Sequence, residues 1–158
     1  MPGASPIFER PAELLQNLIR FDTTNPPGNE RPCIEYINAL LKDAGFETTL
    51  IGIHPDRPNL ITRLKGSGNA PPLLLYAHVD VVTTANQEWT YPPFEARIVD
   101  GFIWGRGALD NKHCVAMYLA ALLKVKAGNV SLPGDVIFAA TVDEEAGGNL
   151  GAEYLVDE

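Results

Sequence analysis

The 158-residue sequence is poor in cysteine. Its two cysteines, Cys33 and Cys114, lie far apart and form no CxxC pair, which excludes a disulfide framework. It has no Lys/Arg cluster: 12 basic residues stand against 20 acidic ones, for a net charge of −8. A nucleic-acid binder needs a basic patch to neutralise phosphates, so that class is excluded, and a membrane-surface role is disfavoured for the same reason. No long apolar run occurs either. The longest stretch, Cys114 to Leu123, is too short to span a bilayer. Residues Met1 to Arg10 lack the apolar core of a signal peptide. A reduced, cytoplasmic setting is the resulting expectation. No repeat and no linker break the chain. Its 14 glycines and 13 prolines fall at punctuation points, which excludes collagen-like and low-complexity readings.

What remains is an ordinary globular composition, 46% hydrophobic and 20% charged, at a length that suits one domain. Helical spacing of Leu14, Leu15, Leu18 and Ile19 predicts a helix from Pro11 to about Phe21. A dense turn signal, Asp22 to Asn29, separates it from a second helix over about Glu30–Ala44, with Gly45 as its stop. Strands are predicted over Phe46–Ile53 and Asn59–Lys65. Leu73–Ala77 reads as a strand buried on both faces. Asp100-Gly101 between two apolar triplets marks a hairpin. Lys112–Ala127 reads as a long helix, Asp135–Val142 as a buried strand, and Gly148 onward as a further helix. Strands alternating with helices give an α/β class.

Three polar clusters interrupt this apolar scaffold, two of them at strand ends, where ligands collect in open α/β sheets. In His78-Val79-Asp80, residues two apart point to the same side, so Asp80 can approach the His78 ring. A metal-bound histidine commonly passes its other N–H to a carboxylate in this way; the plainer reading is a capped strand end. In Gly105-Arg-Gly-Ala-Leu-Asp110-Asn-Lys112, Asp110 reads either as a helix N-cap or as a carboxylate bridging two metals. The segment resembles a phosphate loop, but it follows a hairpin and fits neither standard spacing. In Asp143-Glu144-Glu145, adjacent carboxylates repel unless water or cations compensate. They form either a solvated acidic turn before a helix, or a pair in which one glutamate ligates a metal and the other accepts a proton. His, Asp and Glu supply the nitrogen and oxygen ligands that zinc accepts.

Taken together, Leu75-Tyr-Ala-His-Val-Asp-Val81, Gly105-Arg-Gly-Ala-Leu-Asp-Asn-Lys112 and Thr141-Val-Asp-Glu-Glu-Ala-Gly-Gly148 resemble the three N-terminal signatures of the M20 metallopeptidase family. Arg20 to Glu30 resembles that family's usual opening. The family includes acetylornithine deacetylase, succinyl-diaminopimelate desuccinylase, aminoacylase-1 and glutamate carboxypeptidase. The resemblance implies a mixed, mostly parallel sheet flanked by helices, a zinc-exopeptidase-like catalytic domain. It implies His78, Asp110 and Glu145 as metal ligands, Asp110 bridging two zinc ions, with cobalt sometimes accepted. Asp80 would orient His78, and Glu144 would act as general base and then acid in amide hydrolysis. Substrates would be small peptides or N-acyl amino acids.

One departure is visible. The family usually has a glycine pair after Asp-x-Lys, and here His113-Cys114 stands instead. His113 is read as a helix-start residue facing a loop, Cys114 as a buried thiol, His54 as a surface loop residue, and Trp89 and Trp104 as packing residues. The family also takes an aspartate and a histidine ligand from later sequence, together with a dimerisation domain that makes it a homodimer. The expectation is therefore that residues 1–158 are the N-terminal part of a longer hydrolase and have little activity alone. Two rival classes are a non-catalytic metal-binding or interaction module and, more weakly, a nucleotide-binding α/β domain.

Overall fold

The computed structural model describes residues 5–157. After a 3-10 turn at Ile7–Glu9, the chain forms α1 (Pro11–Ile19), α2 (Arg31–Asp43), β1 (Thr48–Ile51), β2 (Asn59–Leu64), β3 (Leu73–His78), β4 (Arg97–Val99), β5 (Phe102–Trp104), α3 (Lys112–Ala127), β6 (Val136–Thr141) and α4 (Ala152–Asp157). Four strands make one sheet in the order β1-β2-β6-β3, while β4 and β5 pair as a separate hairpin.

The helices form where apolar residues recur on one side. In α2, Cys33, Ile34, Ile37 and Leu41 are buried, and α1 buries Leu14, Leu18 and Ile19. Val115, Ala116, Leu119, Leu122 and Leu123 of α3 join them over one sheet face, where Leu60, Ala77, Phe138 and Ala140 complete the core. The Tyr118 ring meets Phe138 edge-on at 6.4 Å. Burial of such side chains stabilises by roughly 1.5–3 kcal/mol each, which turns the Leu60, Ala77 and Phe138 faces of β2, β3 and β6 towards the helices.

The mixed, helix-flanked sheet expected from the sequence is present. Its parallel share is smaller than a mostly parallel sheet would have: β3 pairs parallel with β6, whereas β1–β2 and β2–β6 are antiparallel. The reading of β3 as buried on both faces is also corrected. Leu73 is 55% and Leu74 59% exposed, and only Ala77 and His78 of the strand are buried. The physical reason is position. β3 is the edge of the described sheet, and Leu74 and Tyr76 line an apolar cavity with Leu155 and Val156 of α4 instead of being covered by a packed helix.

The β3–β6 register aligns Ala77 with Ala140 and His78 with Thr141, so both strands end at the same level. Past that level, Thr23–Asn25 lies alongside Val81: Asn25 N–H donates to the Val81 carbonyl at 2.9 Å, and Val81 N–H to that of Thr23 at 3.1 Å. Buried Asn59 pins the loop after β6, accepting from Val142 N–H at 3.1 Å and donating to the Leu150 carbonyl at 2.8 Å. Gly151 permits this tight return, since a Cβ there would lie 2.0 Å from the Val142 carbonyl oxygen. No helix among the described residues is long and apolar enough to cross a membrane.

Candidate active site

His78 is the last residue of β3, and Asp80 follows it by two. Both side chains are almost wholly buried. The His78 Nδ1 lies 3.1 Å from the Asp80 backbone carbonyl, which can only accept, so Nδ1 carries a hydrogen. The Asp80 carboxylate adds a second contact at 3.4 Å. This arrangement turns Nε2 outward, 3.1 Å from Asp110 Oδ1 and 3.7 Å from Glu144 Oε2.

Glu144 and Glu145 sit on a 3-10 turn directly after β6, and Asp80 anchors that turn. Its Oδ1 accepts the Glu144 N–H at 3.1 Å and its Oδ2 the Glu145 N–H at 3.0 Å. The result is a set of donor atoms from His78, Glu144 and Glu145 that all lie within 4.8 Å of one another. Asp110 joins through its one contact with His78 Nε2. It lies before α3 but does not cap it: Asn111 is the N-cap residue, with no side-chain cap bond.

Charge explains the protonation of this cluster. Burial disfavours a charged His78, but the Asp80 hydrogen bonds and carboxylate charge, with Glu144, outweigh it and raise the ring's pKa to about 9. Burial likewise opposes ionisation of Asp80, yet its bonds to His78, Asn25 and Glu145 N–H hold its pKa below the usual value. Glu145 is raised, first by burial and then by the Asp110 charge. In the metal-free site, then, a proton on Nε2 satisfies the surrounding carboxylates. A cation fits the same position: one imidazole nitrogen with its tautomer fixed from behind, and carboxylate oxygens around it, form a donor set zinc accepts.

Every residue singled out from the sequence for this chemistry, His78, Asp80, Asp110, Glu144 and Glu145, thus converges at the ends of two neighbouring strands. Other candidates stand apart. His54 is exposed on its loop. His113 lies on the first turn of α3, 3.4 Å from the Cys114 sulfur. Cys114 is half-buried rather than buried, because it sits at the margin of the helix face; the fully buried thiol is Cys33. Trp89 and Trp104 pack as expected, Trp104 edge-on to Tyr91 and Trp89 beneath the Arg106 guanidinium. They also line a cavity of about 310 Å³ with Ile103, Arg106 and Asp110, so one wall of it belongs to the site.

Two participants escaped the sequence reading. Asn25 Nδ2 donates to Asp80 Oδ2 at 2.9 Å and to Asp143 Oδ1 at 3.1 Å. Its segment gives a loop signal and a resemblance to the family's opening, with no role for this side chain. Lys112 is fully buried, and its Nζ donates to the Phe21 carbonyl at 2.7 Å. Burial lowers its pKa, opposed by Cys33, Asp22 and Asp80. A lysine at a helix start carries no sequence signal for burial.

The fold and site define an α/β domain with a cluster of His and carboxylate donors at its strand ends that could hold a metal ion. A family model described as "Peptidase family M20/M25/M40" matches residues 74–158, more than half of the chain. The chain belongs to that family. It is 37% identical over 138 residues to N-formyl-4-amino-5-aminomethyl-2-methylpyrimidine deformylase of Halalkalibacterium halodurans, covering 85% of this chain and 32% of that protein. It is 36% identical over 152 residues to succinyl-diaminopimelate desuccinylase of Rickettsia typhi, covering 91% of this chain and 39% of that protein. The chain therefore spans about a third of the length of these relatives. Among solved structures, human carnosine dipeptidase 1 superposes with a TM-score of 0.82 at 22% identity, over 95% of this chain and 35% of that one. An M20 family metallo-carboxypeptidase from Sulfolobus solfataricus superposes with a TM-score of 0.78 at 22% identity, over 93% and 33%. At that identity the likeness concerns the fold.

Proposed function

We propose that the chain forms the N-terminal part of the catalytic domain of a metal-dependent hydrolase that cleaves an amide bond in a small peptide or N-acyl amino acid. The observation that carries this reading is the mutual approach of His78, Glu144 and Glu145 donor atoms within 4.8 Å, backed by buried Asp80. His78, Asp110 and Glu145 would hold the metal, zinc by the chemistry of the donor set, with Asp110 shared between two ions. Two further ligands, an aspartate and a histidine, and a dimerisation domain would come from the part of the protein beyond this third. Bound zinc supplies Lewis acidity, which brings the pKa of water down towards about 7 and polarises a carbonyl.

The chain's own residues divide the remaining work. Asp80 holds the His78 tautomer and, through two backbone N–H groups, the turn that aims both glutamates. Glu144 is the more exposed of the pair, with a half-exposed side chain; it would take a proton from the attacking water and return it to the leaving nitrogen. Glu145, more buried, is the better ligand. The cavity beside Asp110 offers the substrate an apolar wall of two indoles.

The test is a pair of variants in the full-length protein. Glu144→Gln should retain zinc and lose at least about two decades of amide hydrolysis. Glu145→Gln should lose zinc. Near-normal turnover by zinc-loaded Glu144→Gln removes Glu144 from proton transfer.

A further inference from the structure

A buried polar chain runs behind the site and ends on a single cation. The Arg57 guanidinium grips Glu30 with two bonds, Nε to Oε2 at 2.9 Å and Nη2 to Oε1 at 2.5 Å. The same Nη2 donates to Asp143 Oδ1 at 3.0 Å. That oxygen also accepts from Asn25 Nδ2, which in turn donates to Asp80. Asp80 holds the Glu144 and Glu145 backbone N–H groups. Every link is protected from water: the Glu30 side chain is fully buried, Asp143 nearly so, and that of Arg57 is only 15% exposed.

Two features show that the fold is built around this arrangement. Gly28 forms a notch for the guanidinium, since a Cβ there would lie 2.3 Å from Arg57 Cζ. Asp143 has a left-handed backbone, φ 69°, a conformation that side-chain-bearing residues seldom adopt. Its carboxylate holds it there by taking Arg57, Asn25 and, at 3.2 Å, the Leu150 N–H. The left-handed turn at Asp143 is what swings the chain from β6 into the Glu144–Glu145 turn.

The charge balance adds a second reason. Glu30 and Asp143 would be two buried carboxylates without a counter-ion, beside Asp80 and the two glutamates. A buried carboxylate left unpaired is strongly disfavoured. Lysine offers one point charge, whereas the arginine fork spans both partners at once.

We propose that Arg57 is a positioning residue for the glutamate turn: by neutralising Glu30 and Asp143 together it fixes Asp143, Asn25 and Asp80, and through them the placement of Glu144 and Glu145. Its effect on metal affinity rests on the function proposed above; its effect on the turn does not.

The experiment compares Arg57→Met, Arg57→Lys, Asn25→Ala and, as a control, Arg63→Met, which removes the exposed Arg63–Asp135 pair at the far end of β6. Each is made in the full-length protein. Amide hydrogen exchange at Glu144 and Glu145 is measured without metal, and zinc affinity by competition with a chromophoric chelator. Arg57→Met should speed exchange at both amides by at least about tenfold and weaken zinc binding by about 10–100-fold, the range for partners that orient ligands. Arg57→Lys should recover part of each, and Arg63→Met should change neither. Asn25→Ala cuts the link while leaving the Arg57–Glu30 pair, and should reproduce the faster exchange even if Arg57→Met fails to fold. Wild-type exchange at both amides in Asn25→Ala, or in folded Arg57→Met, overturns the proposal. A wild-type full-length protein that exchanges slowly at these amides yet binds no zinc overturns the hydrolase reading and leaves the positioning role standing.

Discussion

Asp80 and Asp110 face the same histidine from two regions of the molecule built on different principles. Asp80 closes a strand end, is fully buried, and serves Asn25, Glu144 and Glu145 besides His78. Asp110 stands on the loop before α3, with a side chain 74% exposed and, among the described residues, His78 as its sole hydrogen-bond partner. The first carboxylate is part of the fold's own polar accounting, and its removal leaves buried donors without acceptors. The second is held by nothing but its neighbour's charge. The site is therefore half preorganised by packing and half dependent on what it binds. Rigid orientation comes from β3 and β6, and the exposed loop supplies charge.

This contrast can be broken most severely at Asp80. Asp80→Ala should cost about 3–5 kcal/mol of stability in the metal-free protein, as removal of one partner from a buried charged network does; urea unfolding measures it, and a loss below about 1 kcal/mol would sink the account of Asp80 as the anchor. His78→Ala comes next. It should weaken zinc binding by more than about 100-fold, exceeding the effect of an outer partner, with calorimetry as the readout and unchanged affinity as the contrary result. The pH dependence of the metal-free protein is a third probe. The His78 pKa rises from 6.5 to about 9 on folding, so its pairing stabilises fully below pH 6.5 and is lost as pH climbs towards 9. Asp80 is lowered from 3.8, so its share is present above that pH and lost below it as the carboxylate protonates. Stability should thus fall on both sides of a mildly acidic plateau, and His78→Gln should flatten the alkaline fall. The smallest effect belongs to the exposed partner. Asp110→Ala should leave stability within about 0.5 kcal/mol while weakening zinc binding, and a stability loss as large as that of Asp80→Ala would erase the distinction between the two regions.

The parts of the molecule legible in the sequence are those written as local pattern. Helix α3 begins and ends where the apolar run and Gly128 place it, and the Asp100-Gly101 turn joins the predicted triplets. The site residues were legible because polar residues abruptly interrupt apolar strands. The burial of β3 was misread because an apolar run looks the same in a central strand and an edge strand, and only the sheet order separates them. For Asp110 the sequence offers a cap beside the ligand reading, because an acidic residue before a helix often caps it, and only the structure shows Asn111 in that place. Arg57 looks like an ordinary loop residue, Asn25 and Glu30 stand out only as members of the Arg20–Glu30 segment, and Asp143 only as one of three adjacent carboxylates. The role of each side chain arises when segments 27 to 118 residues apart are brought into contact.

The parallel register of β3 and β6, Leu73 opposite Val136 through His78 opposite Thr141, has a consequence for how this gene can tolerate insertions and deletions. Removing one codon inside either strand would rotate every following side chain to the opposite face, sending His78 or the glutamate turn away from its counterpart. Codons added at the exposed Asp100–Gly101 turn of the β4–β5 hairpin or beside Asn129, ahead of the hydrogen-bonded Leu132 and Pro133, chiefly change a loop closure, whose cost grows with the logarithm of length. Length variation should therefore gather in those connections, while residues 73–80 and 136–145 are counted to the residue.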